Sequence, residues 1–459
     1  MPVQKTIAET TQYRLILVLP ESHKVLAISD PSGYRLPSVS IPPWTRPAAQ
    51  LQKAILAIWR LHAIILDFLA PSEECPLCAV AEILPSAKVL ELKPVPLERI
   101  QAPQISGQQH AQLTAMLSGC SNISNPFSRI GWINEAITWL ESETGRTLSS
   151  KSAIEQFNAG DSFALVKFHM EDDRYYWLKA TGEPNAHEPS ITKCLSELGG
   201  DYLPEMISFR PEWNAWLMSG EAWRVDEMPH DPFQLHTLIR DAVESMARLQ
   251  MKTQGRGRDL LDAGAFDQSL DVLQHRSTEL FDYLEEAMSL QSSTKVSRLE
   301  KKRIREIHTI FDEVCQRMED LGIGESIVHG DLNCGNIVIG VGHCQFIDWS
   351  EAYFGNPLIS LQHLLLLNTA GSADLRDLSN QILKERYLEA WMDRCDPDAL
   401  REGFVYMPML AIGSALYGRG DWLRSPTRSD SRHQSYARSL ARHMDRAAQE
   451  TQLTEALCR

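Results

Sequence analysis

One stretch, residues 328–350, restricts the possible folds of this 459-residue chain more than any other. It reads VHGDLNCGNIVIGVGHCQFIDWS. Two short apolar runs, IVI and QFI, flank a glycine turn, and this pattern predicts a β-hairpin. The polar residues Asp331, Asn336 and Asp348 stand at or beside the ends of these runs. Because an unpaired buried carboxylate is strongly destabilising, we expect a cation to meet them.

The composition is that of an ordinary globular protein, with 43% hydrophobic and 23% charged residues. A net charge of −15 argues against general nucleic-acid binding. The N-terminus lacks the apolar core of a signal peptide. The most apolar run, AILAIWRLHAIILDFLA, is interrupted by Arg60, His62 and Asp67, so we expect no membrane span.

The nine cysteines are scattered along the chain, which predicts reduced thiols and a cytoplasmic protein. Cys75 and Cys78 form one CxxC pair. A zinc site needs two further ligands at a suitable spacing, and the sequence contains no second pair. We therefore expect structural thiols here rather than metal ligands.

Sequence periodicity indicates a small α/β region at the N-terminus. Residues 13–41 have the pattern of two strands, and a helix that Pro47 opens follows them, with more strand-like sequence afterwards. Residues 103–127 are rich in Ser, Gln, Gly and Asn, as is typical of a boundary. These features predict a separate N-terminal domain over residues 1–125.

A second sheet pattern begins near residue 154, as three strands joined by the turns GDS and EDDR. The alternation in YYWLK places Tyr175, Trp177 and Lys179 on one face. From about residue 231 the chain has a helical period, the polar stretch 291–306 included, apart from the segment quoted first. An antiparallel sheet followed by helices predicts a bilobal α+β architecture, with lobes over residues 126–219 and 220–459.

The sequence HGDLNCGN follows the pattern His-x-Asp-x4-Asn, and Asp348 of IDW stands twelve residues beyond Asn336. These residues resemble the aminoglycoside phosphotransferase and choline kinase family, whose fold is that of the protein kinases. The strand YYWLKA, the helix start HEPSITKCL and the segment AYFGNPLISLQHLL extend the resemblance over roughly residues 128–420.

The resemblance implies transfer of the γ-phosphate of ATP, with Mg²⁺, to a hydroxyl of a small molecule. Asp331 would take the place of the catalytic aspartate and accept a hydrogen bond from the acceptor hydroxyl. Asn336 and Asp348 would hold Mg²⁺, which prefers oxygen ligands. His329 would orient the loop through a hydrogen bond, or else take part directly in the chemistry.

On the side of the sheet, Lys179 would reach the α- and β-phosphates of ATP and pair with an acidic residue. Glu188 and Glu197 are the two candidates for this pair. They lie nine residues apart and so point to opposite sides of a helix, which means that only one can face Lys179. The resemblance favours Glu188.

Two further groups would bind the nucleotide according to the resemblance. The chain lacks a GxGxxG loop, but the backbone and the Ser162 hydroxyl of the turn NAGDS could cover the phosphates. An ordinary hairpin turn is the alternative. Met218 and Ser219 occupy the hinge position, where backbone groups would bond adenine. The sequence also departs from the family pattern at Ser360, where an acidic residue is common.

The N-terminal region resembles a Nudix fold. The Nudix reaction needs several metal-binding glutamates on the helix that follows the LP turn. Between Asp30 and Asp67 this chain has no Asp or Glu. We therefore predict a binding or packing module there, without hydrolase activity.

A basic stripe lies near the C-terminus, since arginines recur every four residues at Arg428 and Arg432 and again at Arg438, Arg442 and Arg446. The stripe is either a solvated helix face or a site for an anionic substrate or partner, and the sequence leaves both open.

Two functions fit the sequence. The first is a small-molecule kinase, and the alternative is a catalytically idle kinase-fold module that recognises a ligand or a protein partner. The presence of Lys179, Asp331, Asn336 and Asp348 favours the kinase, because an idle member should have lost at least one of them. A protein kinase is disfavoured, since the glycine-rich loop and an APE-like segment are absent.

Overall fold

The computed structural model describes residues 10–458, apart from residues 32, 44–45, 72–76, 85–90, 101–103, 119–125, 151–152, 161–162, 221–222, 225–231, 341, 367–372 and 425. The chain forms two compact units. The first comprises Met1–Pro189 and Glu205–Glu221, and the second comprises Ser190–Pro204 and Ala222–Arg459. The finer division of the first unit at residue 125 stays a prediction.

The N-terminal part of the first unit is built on a mixed seven-stranded sheet. Its strands are β1 (Thr11–Leu19), β2 (Lys24–Asp30), β3 (Gly33–Arg35), β4 (Ser38–Ile41), β5 (Ala63–Leu69), β6 (Cys78–Ile83) and β7 (Lys93–Val95). Their order is β3-β2-β1-β6-β5, with β4 also paired to β1 and β7 to β2. β1 and β6 are parallel, and β5 is the last strand at one edge.

Helix α1 (Pro47–Trp59) packs on this sheet through one apolar face. Pro47 opens the helix, as the sequence predicted, because its missing N–H has no intrahelical partner at that position. The buried residues recur at helical spacing and are Ala48, Leu51, Ile55 and Trp59. The helix has no acidic side chain that could hold a metal. The Nudix resemblance itself stays a prediction.

A five-stranded antiparallel sheet forms the rest of the first unit. Its strands are β8 (Ile154–Asn158), β9 (Phe163–His169), β10 (Tyr175–Thr181), β11 (Met206–Arg210) and β12 (Ala215–Ser219), in the order β11-β12-β10-β9-β8. The helices α2 (Gly107–Ser118) and α3 (Trp132–Thr144) precede it. Burial alternates along β9, which agrees with the period of two in its sequence.

The two sheets of the first unit share one hydrophobic core. A single cluster of buried side chains includes Ile16 and Val80 of the first sheet and Val166, Phe168 and Leu217 of the second. Helix α3 contributes its apolar face to the same cluster. The face of the second sheet that this core covers is therefore removed from water, which strongly favours folding of the two parts together.

The second unit is predominantly helical. Its helices are α5 (Pro232–Thr253), α6 (Gly257–Asp262), α7 (Leu270–Ser289), α8 (Lys301–Asp320), α9 (Leu358–Leu366), α10 (Ala373–Trp391), α11 (Pro397–Tyr417), α12 (Ser431–Ala447) and α13 (Thr451–Leu457), after α4 (Glu188–Gly199), which begins in the first unit. The predicted α+β architecture, with an antiparallel sheet and a helical part, is confirmed.

Two small sheets accompany these helices. Their strands are β13 (Trp223–Arg224), β14 (Phe266–Gln268), β15 (Ser326–Val328), β16 (Ile337–Ile339), β17 (Cys344–Phe346) and β18 (Tyr353–Gly355). The orders are β13-β16-β17 and β14-β18-β15. The pairing of β16 with β17 confirms the predicted hairpin.

The helical period expected over the polar stretch 291–306 is wrong for its first part, because α8 begins only at Lys301. Residues 291–300 contain polar side chains that hydrogen-bond to nearby backbone. Gln291 Nε2 donates to the carbonyls of Ser293 and Val296, at 2.8 Å each, and Ser293 Oγ accepts from the Lys295 N–H at 3.3 Å. Such local bonds compete with helix formation.

Candidate active site

The hairpin of β16 and β17 brings Asn336 and Asp348 together. The register pairs Ile337 with Phe346, so that Asn336 directly precedes one strand and Asp348 follows the other at the open end. The Ile347 N–H donates to the Asn336 carbonyl at 3.1 Å and extends the pairing by one step. Two residues twelve positions apart in sequence are therefore fixed side by side.

The Asn336 side chain is buried and ties this hairpin to the Asp331 loop. Its Nδ2 donates to the Asp331 carbonyl at 2.8 Å and to Asp331 Oδ2 at 3.0 Å. Asn333 Nδ2 donates to the other carboxylate oxygen, Oδ1, at 3.0 Å. The Asp331 side chain is thus oriented by two amides while the residue itself remains exposed. Because Asn336 uses its nitrogen for Asp331, its Oδ1 is the atom suited to a metal.

Asp348 adopts a left-handed backbone conformation, with φ of 68°. Among residues other than glycine, Asp and Asn tolerate this region best. The conformation ends the extended chain after β17 and starts the short 3-10 turn Trp349–Glu351. Asp348 Oδ1 accepts a hydrogen bond from Ser350 Oγ at 3.2 Å. The carboxylate is therefore placed at the mouth of the hairpin by backbone and side chain together.

His329 is buried and structural in its contacts. Its Nδ1 accepts from the Asp331 N–H at 3.3 Å, so Nε2 carries the proton and donates to the Ile347 carbonyl at 3.0 Å. The ring also packs on Trp349, with the ring centres 4.5 Å apart. These contacts link the Asp331 loop to the end of β17. Of the two roles that the sequence left open for His329, orientation of the loop and direct participation in the chemistry, they suit orientation of the loop.

Gly330 lies where no larger residue fits. A Cβ at this position would stand 2.2 Å from the Glu351 carbonyl oxygen and 3.0 Å from the Glu351 Cβ. The loop that carries Asp331 therefore passes directly against the turn that follows Asp348. Only glycine permits this approach of two backbone segments.

A buried polar network behind His329 was missed by sequence reasoning. Ser360 Oγ accepts from the His329 N–H at 3.0 Å and from Gln250 Nε2 at 3.2 Å. Gln250 Oε1 in turn accepts from the Tyr387 hydroxyl at 2.6 Å. Ser360 thus supports the loop with a neutral hydroxyl at the position where an acidic residue is common in the resembled family. Gln250 and Tyr387 belong to no sequence motif, so the sequence did not indicate that they support the site.

Arg419 also supports the site from a distant part of the sequence. Its guanidinium donates to the Ser350 carbonyl at 3.0 Å and pairs with the Glu351 carboxylate at 2.6 Å. The side chain is 14% exposed and lies over the Phe266 ring. Arg419 therefore holds the turn after Asp348 from the end of α11. The sequence GRGD around it did not suggest this role.

In the first unit, Lys179 and Glu188 form a buried ion pair. Lys179 Nζ lies 2.5 Å from Glu188 Oε1, and the two side chains are 8% and 1% exposed. Lys179 lies in β10, the central strand of the five-stranded sheet, opposite Leu165 of β9 and Trp216 of β12. The structure therefore brings Lys179 to Glu188, at the start of α4. Because removal of one member of such a pair leaves a buried charge, both residues are needed together.

Met218 and Ser219 lie at the end of β12, opposite Trp177 and Tyr176. The Ser219 N–H already donates to the Glu205 carbonyl at 2.9 Å, so a nucleotide base would have to use other backbone groups there. Ser162 lies outside the described residues. Gly160, in the same turn, has a φ of +128°, a conformation that glycine adopts readily.

Asp348 and Asn336 are the residues of this site whose side-chain oxygens could bind a metal. In the described ranges there is no group of three His, Cys, Asp or Glu side chains arranged to hold a metal. One carboxylate and one amide oxygen nevertheless match Mg²⁺, which usually takes one or two protein ligands and completes its shell with phosphate oxygens and water. Cys78 is buried in β6, and Cys75 falls outside the described part of the chain.

Residues 215–402 match the model of the phosphotransferase enzyme family. This range contains the Asp331 loop, the hairpin and the turn after Asp348, whose geometry is given above. This part of the chain is therefore similar to that family. The match confirms the prediction of a small-molecule phosphotransferase.

The chain is also similar, at low sequence identity, to several solved structures. The choline kinase from Cryptosporidium parvum Iowa II is 13% identical, with a TM-score of 0.47 over 71% of this chain and 100% of that chain. A choline/ethanolamine kinase family protein from Mesorhizobium loti is 16% identical, with a TM-score of 0.45 over 71% and 98%. A macrolide 2'-phosphotransferase from Brachybacterium faecium is 12% identical, with a TM-score of 0.41 over 67% and 96%.

No curated protein matches the phosphotransferase sequence. Among the helices that the structure describes, none combines the length and the apolar character needed to cross a bilayer.

Proposed function

We propose that this phosphotransferase moves the γ-phosphate of ATP to a hydroxyl group of a small molecule in the presence of Mg²⁺. The observation that carries the proposal is the fixed arrangement of Asp331, Asn336 and Asp348. Asp331 is exposed and oriented by amide donors, while a carboxylate and an amide oxygen stand together at the end of the hairpin. Phosphoryl transfer needs positioning and charge neutralisation more than covalent help, and these residues supply groups for both.

Each residue of the second unit has a distinct task in this proposal. The Asp331 carboxylate accepts a hydrogen bond from the acceptor hydroxyl, aligns its oxygen for attack and takes its proton as the new bond forms. The Asn336 amide keeps the Asp331 carboxylate in place through Nδ2 and offers Oδ1 to the metal. Asp348 contributes the negatively charged metal ligand. Bound Mg²⁺ would neutralise charge on the phosphate oxygens.

Lys179 is the proposed phosphate-binding residue of the first unit. Its ammonium is held by Glu188, which supplies an opposite charge to this buried group. An ammonium has three donors, so Lys179 can bond the carboxylate and still donate to a phosphate oxygen. Met218 and Ser219 are proposed to face the base, and Ser162 to lie over the phosphates.

The acceptor can be tested with the purified full-length protein and ATP labelled at the γ-position. The protein is incubated with a panel of hydroxyl-bearing compounds that includes amino alcohols, aminoglycosides and sugars, and the products are separated by mass. We expect one class to yield a phosphate ester only when Mg²⁺ is present. If all of the label remains in ATP across the panel, the proposal is wrong and an idle binding module is favoured. Formation of the ester in EDTA would also contradict the proposal, because the reaction would not need Mg²⁺.

A further inference from the structure

A cavity of about 430 Å³ lies on the second unit, lined by residues of α12 and of the segment that joins α7 to α8. Three arginines of the basic stripe, Arg438, Arg442 and Arg446, line it together with His443. Four serines contribute to the same lining, and no acidic residue does. None of these residues belongs to the candidate active site.

The structure divides the basic stripe into two parts with different partners. Arg428 and Arg432, outside the cavity, are paired with carboxylates: Arg428 lies 2.6 Å from Glu286 and Arg432 lies 2.9 Å from Asp430. Within the described part of the chain, no carboxylate lies within 4.0 Å of Arg438, Arg442 or Arg446. The neighbouring carboxylate of α12, Asp445, is bound to Arg303 at 2.6 Å.

Neutral oxygens hold two of the cavity arginines in place. Arg438 donates from Nη1 to the Ala287 carbonyl at 3.0 Å. Arg442 donates to the Arg438 carbonyl at 2.9 Å and to the side-chain oxygen of Gln291. These bonds restrict the guanidinium orientations, and none of the described carboxylates supplies a counter-charge within salt-bridge distance. Burial lowers the pKa of Arg442, and the Arg438 charge acts in the same direction, as expected where like charges face each other.

A solvated helix face does not account for this arrangement. On such a face arginines extend into water and move independently, whereas Arg438 and Arg442 are half-buried beside a concave space and donate to backbone carbonyls. The chain as a whole is acidic, with a net charge of −15, so this cluster of arginines is a local exception. An anion that enters the cavity would relieve the mutual repulsion of the arginines.

We propose that this cavity binds a small molecule that carries a phosphate group. Guanidinium groups donate two parallel hydrogen bonds to phosphate oxygens, and serine hydroxyls are further donors. The cavity volume lies within the range of about 300–1,000 Å³ usual for small-molecule sites. Val296 adds an apolar surface for the part of the ligand that bears the phosphate. The phosphate can be free or esterified, since the same donors recognise both.

The probes are pyrophosphate and inorganic phosphate, each titrated calorimetrically into the full-length protein in EDTA at low ionic strength. The variants are Arg438→Gln and Arg446→Gln, which remove cavity charges. Arg432→Gln is the matched control, because it removes one arginine of the same helix whose charge is already paired with Asp430. A charge-assisted hydrogen bond contributes roughly 1.5–3 kcal/mol, so we expect each cavity variant to weaken binding about tenfold to a hundredfold.

The control should bind the probes as the wild type does, within about twofold, since an exposed ion pair contributes little. A preference for pyrophosphate over inorganic phosphate would indicate an esterified or chained phosphate as the natural ligand, and the reverse would indicate a free phosphate. Wild-type protein that binds neither probe overturns the proposal. It is overturned as well if Arg446→Gln and Arg432→Gln behave alike, or if binding survives in both cavity variants but is lost in Lys179→Gln.

Discussion

The side-chain amide of Gln156 hydrogen-bonds to both backbone groups of Ile65, which lies 91 residues earlier in the chain. Nε2 donates to the Ile65 carbonyl at 2.8 Å, and Oε1 accepts from the Ile65 N–H at 2.7 Å. Ile65 belongs to β5 and Gln156 to β8, and each strand is the last of its sheet. Unpaired backbone groups at a sheet edge are a liability. Here one glutamine satisfies them and joins the two sheets.

Replacement of Gln156 by Leu should destabilise the protein by about 2–4 kcal/mol, because two buried backbone groups would lose their partners while the side-chain volume is kept. The midpoint of urea denaturation, followed by tryptophan fluorescence, measures the effect. Gln108→Leu is the control, since Gln108 is exposed on α2 and the chemical change is the same. Equal midpoints for the two variants would contradict the importance of the Gln156 contact.

The sequence predicted local features of the site well. The turn between two apolar runs placed Asn336 and Asp348 at the ends of neighbouring strands, and the structure fixes them side by side through the β16–β17 register. The resemblance pointed to Glu188 as the partner of Lys179, and these two side chains are in contact. Both of these contacts were predicted from short-range periodicity or from a motif with fixed spacing, and both kinds of signal are present in a single sequence.

Contacts between distant segments could not be predicted in the same way. Gln250 reaches Ser360 across 110 residues, and Arg419 reaches Glu351 across 68. Neither pair belongs to a motif, and the residue types are common on protein surfaces. Periodicity shows which face of an element is buried, but it does not show which element covers that face. The supporting residues of the site therefore became visible only in the structure.

Gly330→Ala should disrupt the candidate active site. A Cβ at 2.2 Å from the Glu351 carbonyl oxygen is far inside contact distance, so the Asp331 loop or the turn after Asp348 has to move. Because a displacement of about 1 Å can reduce catalysis a hundredfold, we expect at least that loss in kcat. Gly200→Ala serves as the control, since a Cβ there meets nothing within 4 Å. Comparable activity of the two variants would show that the loop tolerates displacement.

Asp348→Asn should abolish the stabilisation of the protein by ATP and Mg²⁺. Asparagine also tolerates the left-handed backbone, so the turn is expected to remain, while the metal loses its charged ligand. The measurement is the shift of the melting temperature on addition of ATP with Mg²⁺ and of ATP with EDTA. The exposed residue Asp393 provides a control variant, Asp393→Asn. A wild-type shift in Asp348→Asn would remove Asp348 from the metal site.

The free energy of unfolding should decrease in mildly acidic solution, and part of the decrease should come from the protonation of His363. Burial lowers the pKa of His363, with the His329 ring acting in the same direction and Asp331 and the Gly330 backbone opposing it. Between the lowered value and about 6.5, the unfolded chain binds more protons than the folded one. The stability that His363 contributes is therefore complete above about pH 6.5 and is lost as the pH falls below it.

His363→Asn should consequently lose less stability than the wild type between about pH 7.5 and pH 5.5. Urea denaturation at several pH values gives the slope of the unfolding free energy against pH for the wild type and for His363→Asn. His236 and His443, whose pKa values are also lowered by burial, contribute to both proteins alike. His23→Asn is the control, because His23 is exposed and has a left-handed backbone that Asn tolerates. Identical slopes for wild type and His363→Asn would exclude this titration.

Asp331→Asn should reduce the rate of phosphoryl transfer and leave nucleotide binding nearly unchanged. The substitution keeps the shape of the side chain but removes the basic oxygen that would take the proton of the acceptor hydroxyl. Asn336 Oδ1 and Asp348 remain available to the metal. Loss of a general base lowers the rate by about 10²–10⁴-fold, or roughly 3–5 kcal/mol of transition-state stabilisation. Because ground-state contacts to ATP are untouched, the loss should appear in kcat.

The decisive comparison is kcat and the nucleotide Kd for wild type, Asp331→Asn and Asp393→Asn, with the acceptor that the panel identifies. Removal of a carboxylate near the phosphates also relieves repulsion, so Asp331→Asn is expected to bind ATP at least as tightly as the wild type. A rise in Kd as large as the fall in kcat would assign Asp331 to nucleotide binding instead. Near-wild-type turnover in Asp331→Asn would place the acceptor elsewhere, since no other residue of the loop offers a carboxylate to the hydroxyl.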